Sequence, residues 1–342
     1  MSGIDVRTWT ELQEAPQAVQ RQSALLAEPL AELVRCLKNN PPCMVVTCAR
    51  GSSAHAATFG KHLLERHLGI PVAAAAPNIA TIYRKSLRLK GQLFLAISQS
   101  GRSDDLVECT MMATRAGAFT AALVNDIESP LARASDIVLP MAAGVETSVA
   151  ATKTFVASLA ALLRLVAAWG DDTALAGAIE RLPERLAAAT ELDWSGALRV
   201  LAGATSLVTL GRGPTLAIAR EAALKLKEGC GLHAEPFSAA EFLHGPITLV
   251  SPLYPVVLFI PTDAAAAGMA ELAVDLASKG APVIRLGSAD GADELPAFPP
   301  EHPDTDAVCL IQSFYRLVVA LAGLRGTGVD APRYLQKVTN TR

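Results

Sequence analysis

Val45-Val46-Thr47-Cys48-Ala49-Arg50-Gly51-Ser52-Ser53 returns later in the chain as Ser206-Leu207-Val208-Thr209-Leu210-Gly211-Arg212-Gly213-Pro214-Thr215, with Thr47, Arg50 and Gly51 each repeated 162 positions on. Each copy reads as a short β-rich apolar run, a glycine turn and a helical stretch. The likeness continues where Leu93-Phe94-Leu95-Ala96-Ile97 is echoed by Pro255-Val256-Val257-Leu258-Phe259-Ile260. An internal repeat constrains the architecture before any single residue does, and this one implies two domains of one fold. The length agrees: 342 residues, 51% of them hydrophobic, suffice for two cores.

Outward from the repeat, short apolar runs alternate with helical patterns of a dozen or more residues, which implies parallel sheets covered on both faces. In the first half the pattern predicts strands near 43–48, 71–75, 92–97, 120–124 and 136–139, and helices around 53–68, 104–116 and 148–169. The fold class is therefore α/β: two tandem domains, each a parallel sheet in a three-layer αβα sandwich. The expected boundaries are an N-terminal segment 1–29, a first domain 30–170, a helical connector 171–195, a second domain 196–325 and a tail 326–342. Ligands of such sheets bind beyond the carboxyl ends of the strands. The loops 49–53 and 98–103 fall there.

Charge and composition exclude several classes. The net charge of −3 comes without any basic block, so nucleic acid is not an expected partner. There is no charged start followed by an apolar stretch and a cleavage site. The longest apolar helix read from the pattern, Val156 to Trp169, is broken by Arg164, so no membrane segment is expected and the chain reads as cytoplasmic. Cys36, Cys43, Cys48, Cys109, Cys230 and Cys309 are scattered in apolar surroundings, which predicts buried reduced thiols rather than disulfides or a zinc site.

After the strand ending at Ile97 stands Ser98-Gln99-Ser100-Gly101-Arg102-Ser103, then Asp104, Asp105 and a helical run. Three hydroxyls, a glycine and the N–H groups of a helix start make an anion cradle to which Arg102 can add charge. The same residues also suit an ordinary polar loop with a serine N-cap. Gly51-Ser52-Ser53 at the neighbouring strand end favours phosphate. The second copy has Pro261-Thr262-Asp263 instead, so the cradle belongs to the first domain.

Farther on, Glu221, Lys225 and Glu228 recur at i, i+4 and i+7 along a helix otherwise built of Leu and Ala. A narrow charged stripe in so apolar a helix predicts a shielded polar site, in which a carboxylate beside a lysine can serve as a general base. His233, Glu235, Glu241 and His244 follow without metal-ligand spacing, and no metal is assigned. His244 precedes Gly245-Pro246 and so sits on a tight turn, where it can act as an acid or base near neutral pH. Gly211-Arg212-Gly213 is only a partial dinucleotide fingerprint, and no cofactor is assigned.

These segments together resemble the double sugar-isomerase (SIS) domain proteins, specifically the isomerase half of glucosamine-6-phosphate synthase and the SIS-type amino-sugar-phosphate deaminases. The resemblance spans roughly residues 30–342. It rests on Ser98-Gln99-Ser100-Gly101, Ala150-Ala151-Thr152-Lys153, Leu224-Lys225-Leu226-Lys227-Glu228, His233-Ala234-Glu235, His244-Gly245-Pro246 and Ala331-Pro332-Arg333 through Lys337. It implies that Ser52, Ser53, Ser98, Gln99, Ser100 and Ser103 hold a sugar phosphate and that the backbone at Val149 meets the sugar hydroxyls. It further implies that Lys225 lies in the substrate site, that Glu228 moves a proton between C1 and C2, and that His244 assists ring opening. Lys337 would stand at the substrate carbonyl, as a Schiff base or as a charge that stabilises the open form. The implied partners are a phosphorylated amino sugar and a second copy of the chain, with the active site near the dimer interface.

Against the synthase pattern, Arg102 replaces an acid, Ser103 a threonine, Ala151 a serine and Leu243 a lysine. These changes bear on the substrate more than on the reaction. The chain starts Met1-Ser2-Gly3 and reaches the SIS-like region within about thirty residues, so no glutaminase domain is expected. The expected reaction is glucosamine 6-phosphate to fructose 6-phosphate and ammonia. The alternatives are the same chemistry on galactosamine 6-phosphate or a glycated amine, and a module that senses a sugar phosphate without turning it over.

Overall fold

The computed structural model describes residues 6–287 and 295–337. Its first half runs α1 (Arg7–Gln13), α2 (Ala15–Asn39), β1 (Val45–Ala49), α3 (Gly51–Leu68), β2 (Val72–Ala74), α4 (Asn78–Thr81), β3 (Leu93–Ser98), α5 (Asp104–Arg115), β4 (Phe119–Val124), α6 (Pro130–Arg133), β5 (Ile137–Pro140), α7 (Lys153–Trp169) and α8 (Thr173–Glu191). The second continues α9 (Leu198–Ala202), β6 (Ser206–Gly211), α10 (Thr215–Cys230), β7 (His233–Ser238), α11 (Ala239–Phe242), β8 (Val256–Phe259), α12 (Ala266–Ser278), β9 (Val283–Leu286) and α13 (Pro303–Arg325).

Both sheets are parallel throughout, in the orders β2-β1-β3-β4-β5 and, among the described residues, β7-β6-β8-β9. The α/β parallel-sheet class is therefore as the repeat implied, with β6 in the place of β1 and β8 in that of β3. The helices repeat as well. α3 and α10 both end on a left-handed glycine, Gly69 and Gly231, whose N–H donates to Leu64 and Leu226 respectively, so the two caps lie the same 162 positions apart. Only glycine adopts that backbone without steric cost. All six residues of β3 are buried, as they must be in a strand covered on both faces.

By contacts the chain divides into two compact units, each described separately below. One comprises Ala15–Glu146, Lys153–Glu180 and Gln336–Arg342, the other Met1–Glu14, Thr147–Thr152 and Arg181–Leu335. This division departs from linear boundaries at 30, 170, 196 and 326. Residues 147–152 and the N-terminal helix α1 go with the second sheet, for reasons of hydrogen bonding given below. Residues 15–39, mostly assigned to an N-terminal segment by the sequence, form the long helix α2, which packs on α7 inside the first unit.

Two further expectations are corrected. The longest apolar helix is α13, not 156–169: among the described residues it alone is long and apolar enough to cross a membrane, with mean hydropathy 1.8, yet 78% of that stretch is buried. It is the core helix of the second unit, packed on α10, and each of its fully buried large side chains contributes about 1.5–3 kcal/mol. Of the cysteines, Cys43 is exposed and Cys36 half-buried, while Cys48, Cys109, Cys230 and Cys309 are buried as expected. Burial pushes the Cys230 and Cys309 thiols up to about 12, which keeps them unreactive.

Candidate active site

In the first unit, β1 and β3 are neighbours in register, Ala49 beside Ile97, so the loops that follow them emerge side by side at the carboxyl edge of the sheet. Ser52 and Ser53 occupy the first turn of α3, and Ser98, Gln99, Ser100 and Ser103 line the turn into α5. That turn is built by its own serines. Ser98 Oγ accepts the Gly101 N–H at 3.1 Å and Ser100 Oγ the Arg102 N–H at 3.3 Å. Gly101 has φ +61°, and a Cβ added there would run into the Ser129 side chain. Ser103 precedes α5 without capping it through its side chain.

Arg50 fastens the two loops. Its Nε and Nη2 donate to Asp105 Oδ2 at 3.0 and 2.8 Å, and Asp105 is buried in the first turn of α5. Arg102, expected to add charge to the cradle, pairs with Asp126 at 2.8 Å and leaves its side chain exposed. The equivalent turn of the second sheet is occupied from within: Thr215 Oγ1 donates to the Phe259 carbonyl at 2.7 Å and accepts the Arg212 N–H at 3.0 Å.

The second unit carries the stripe on α10. Glu221 and Lys225 are buried, and the Glu228 side chain is 19% exposed. Lys225 Nζ lies 2.6 Å from Glu228 Oε2 and 3.4 Å from Glu221 Oε1, and Tyr315 on α13 donates to Glu221 at 3.4 Å. The shielding foreseen from the Leu and Ala content of the helix is thus present. Glu228 faces a cavity of about 1040 Å³, shared with Lys227, Arg325 and Arg333. His244 stands in the same unit, exposed, on a turn closed by its N–H to the Glu241 carbonyl at 3.0 Å, with Gly245 at φ +141°. Among the described residues no group of three or more His, Cys, Asp and Glu is placed to hold a metal.

The loop carrying Val149 is clasped from a distance. Glu11 on α1 accepts the Thr147 and Ser148 N–H groups and the Thr147 hydroxyl. The Val149 N–H donates to the Asp330 carbonyl at 3.0 Å, while the Asp330 carboxylate accepts the Arg7 and Thr8 N–H groups and the Thr8 hydroxyl. Burial alone would push both carboxyls up, but these hydrogen bonds outweigh it and hold Glu11 and Asp330 below the usual carboxylate range. A carboxyl depressed in the folded state stabilises the fold above its unfolded value, and that contribution is lost as pH falls through the folded one. Glu11→Gln is accordingly expected to lower the melting midpoint at pH 7, with the difference from wild type shrinking as pH drops below roughly 4. A difference that stays constant down to acid pH in thermal melts would contradict it.

Lys337, the last described residue of the tail, belongs to the first unit. Its Nζ lies 3.1 Å from Glu146 Oε2. The cradle serines and Lys337 therefore fall in one unit, and Val149, Lys225, Glu228 and His244 in the other. Sequence reading missed Glu11, Glu146 and Asp330. Each is one acid in a run with no periodicity, and only its distant partner marks it.

A SIS domain model matches residues 44–168 and 200–292, so it takes in both sheets. Glutamine–fructose-6-phosphate aminotransferase (isomerizing) of Bradyrhizobium diazoefficiens is 32% identical over 96% of this chain, and that of Halobacterium salinarum 35% identical over 98%. The chain spans 57% and 59% of the length of these curated relatives. Among solved structures, a candidate phosphosugar isomerase of Silicibacter pomeroyi DSS-3 is 46% identical with a TM-score of 0.90, covering 95% of this chain and 99% of that one. The C-terminal domain of glucosamine-fructose-6-phosphate aminotransferase from Francisella tularensis is 25% identical with a TM-score of 0.86, covering 96% and 99%. Matched over both sheets and homologous to these aminotransferases along nearly all its length, the chain belongs to the SIS domain family.

Proposed function

We propose that this chain is a phosphosugar aldose–ketose isomerase that acts on an amino sugar, converting glucosamine 6-phosphate and water to fructose 6-phosphate and ammonia. The observation that carries the reading is the carboxylate of Glu228, held 2.6 Å from Lys225 on a buried stripe and open to a cavity. A base so placed is shielded enough to be tuned and exposed enough to meet substrate. The family match supports the phosphosugar, and the isomerizing relatives, active at a 6-phosphate ketose by name, support the C1–C2 chemistry.

The reaction is assigned residue by residue. The Ser52, Ser53 and Ser98–Ser103 cradle takes the phosphate through hydroxyls, loop N–H groups and the start of α5. His244 assists opening of the ring to the free aldehyde. Glu228 removes the C2 proton and returns it to C1, which converts the aldehyde and amine into a ketone-level imine at C2. Water then adds to that imine and ammonia leaves. Run by this chain in water, the ammonia-releasing direction needs no second substrate. The opposite direction needs free ammonia, most of which is the non-nucleophilic ammonium ion near neutral pH. A homodimer in the cytoplasm completes the proposal.

Incubating the protein with a panel of hexosamine 6-phosphates and scoring ammonia and ketose phosphate tests it. Release from glucosamine 6-phosphate is expected. Release from galactosamine 6-phosphate alone would keep the chemistry and change the substrate, whereas binding without turnover of any member would replace the enzyme by a sensor. Ser98→Ala and Ser100→Ala are each expected to raise KM about tenfold or more, the equivalent of one charge-assisted hydrogen bond of about 1.5–3 kcal/mol. Normal KM in both variants would place the phosphate elsewhere.

A further inference from the structure

Glu146 has no role in the assignments above, yet its carboxylate is completely buried and fully engaged. Oε1 accepts the Thr154 N–H at 3.2 Å and Oε2 the Thr154 hydroxyl at 2.6 Å, which seats the carboxylate on the first turn of α7. A helix of 17 residues presents partial positive charge at that end and favours an anion there. Oε2 also lies 3.1 Å from the Lys337 ammonium, whose side chain is 25% exposed. Residues 326–337 contain no helix or strand. No regular element therefore fixes where this lysine stands.

The geometry points to Glu146 as the positioning residue of Lys337: anchored on α7 by Thr154, it holds the ammonium of an irregular tail at one place before substrate arrives. A charge that is already oriented costs no reorganisation when the carbonyl or its developing oxyanion needs it. This inference rests on the reading that Lys337 takes part in turnover, but the anchoring itself can be measured without any substrate.

Glu146→Gln keeps the size of the side chain and removes the charge. It is expected to lower kcat about tenfold or more while KM changes less than about threefold, with Glu146→Asp recovering part of the loss. In a Lys337→Met background the Glu146→Gln change is expected to add nothing further. Trypsin cleavage after Lys337, followed by the mass of the chain lacking residues 338–342, is expected to run about tenfold faster in Glu146→Gln than in wild type. Should Glu146→Gln fail to fold, Thr154→Val, which removes only the hydroxyl that seats the carboxylate, must speed the same cleavage. Wild-type kcat together with wild-type cleavage in Glu146→Gln would overturn the inference, as would a kcat loss that adds fully to that of Lys337→Met. If the wild type turns over no hexosamine phosphate, the functional reading falls, and the cleavage rates alone decide the anchor.

Discussion

Glu228→Gln is expected to lower kcat by about 100-fold or more while KM stays within a few-fold of wild type, because a positioned base is worth that much and the amide keeps the shape of the acid. The fold should tolerate the change. Removing one partner of a buried ion pair usually costs about 3–5 kcal/mol because the other charge is stranded. Here Lys225 keeps Glu221 at 3.4 Å, and Glu228 itself is partly open to solvent, so the buried lysine remains neutralised. The decisive measurement is exchange of solvent deuterium into C1 or C2 of the substrate, followed by NMR. Exchange in Glu228→Gln at the wild-type rate would remove this residue from the proton transfer and leave the base to be found elsewhere.

Deletion of residues 334–342 is expected to abolish turnover and leave both units folded. The described part of that stretch contributes little to either core: Tyr334 is fully exposed, Leu335 is 41% exposed, and Lys337 pairs with Glu146. Exposed chain ends are removable where no buried backbone depends on them. Glu146 keeps its bonds to the Thr154 N–H and hydroxyl after the deletion but loses the Lys337 cation, so a buried carboxylate is left without that partner. Circular dichroism should therefore stay near wild type and the melting midpoint fall without loss of the folded state, while ammonia release drops to background. A truncated protein that is still active would take Lys337 out of the mechanism.

The sequence by itself determined the repeat, the two parallel sheets, the placing of the serine loop at a strand end and the one-faced stripe Glu221-Lys225-Glu228. All of these follow from local periods. A strand with both faces covered reads as a continuous apolar run, and residues four apart on a helix must share a face whatever the rest of the chain does. Burial of the stripe was legible too, since the remainder of α10 is Leu and Ala. Tertiary structure alone decided the contacts that tie the site segments down. Glu11 meets residues 136 and 137 positions away, Thr8 meets Asp330 across 322, Lys337 meets Glu146 across 191, and Arg50 meets Asp105 across 55. It also decided that Arg102 pairs with Asp126, and that residues 147–152 group with the second unit. No period encodes such pairs. Each depends on where packing brings two distant backbones, and there a buried carboxylate must find donors or lose more to desolvation than it gains.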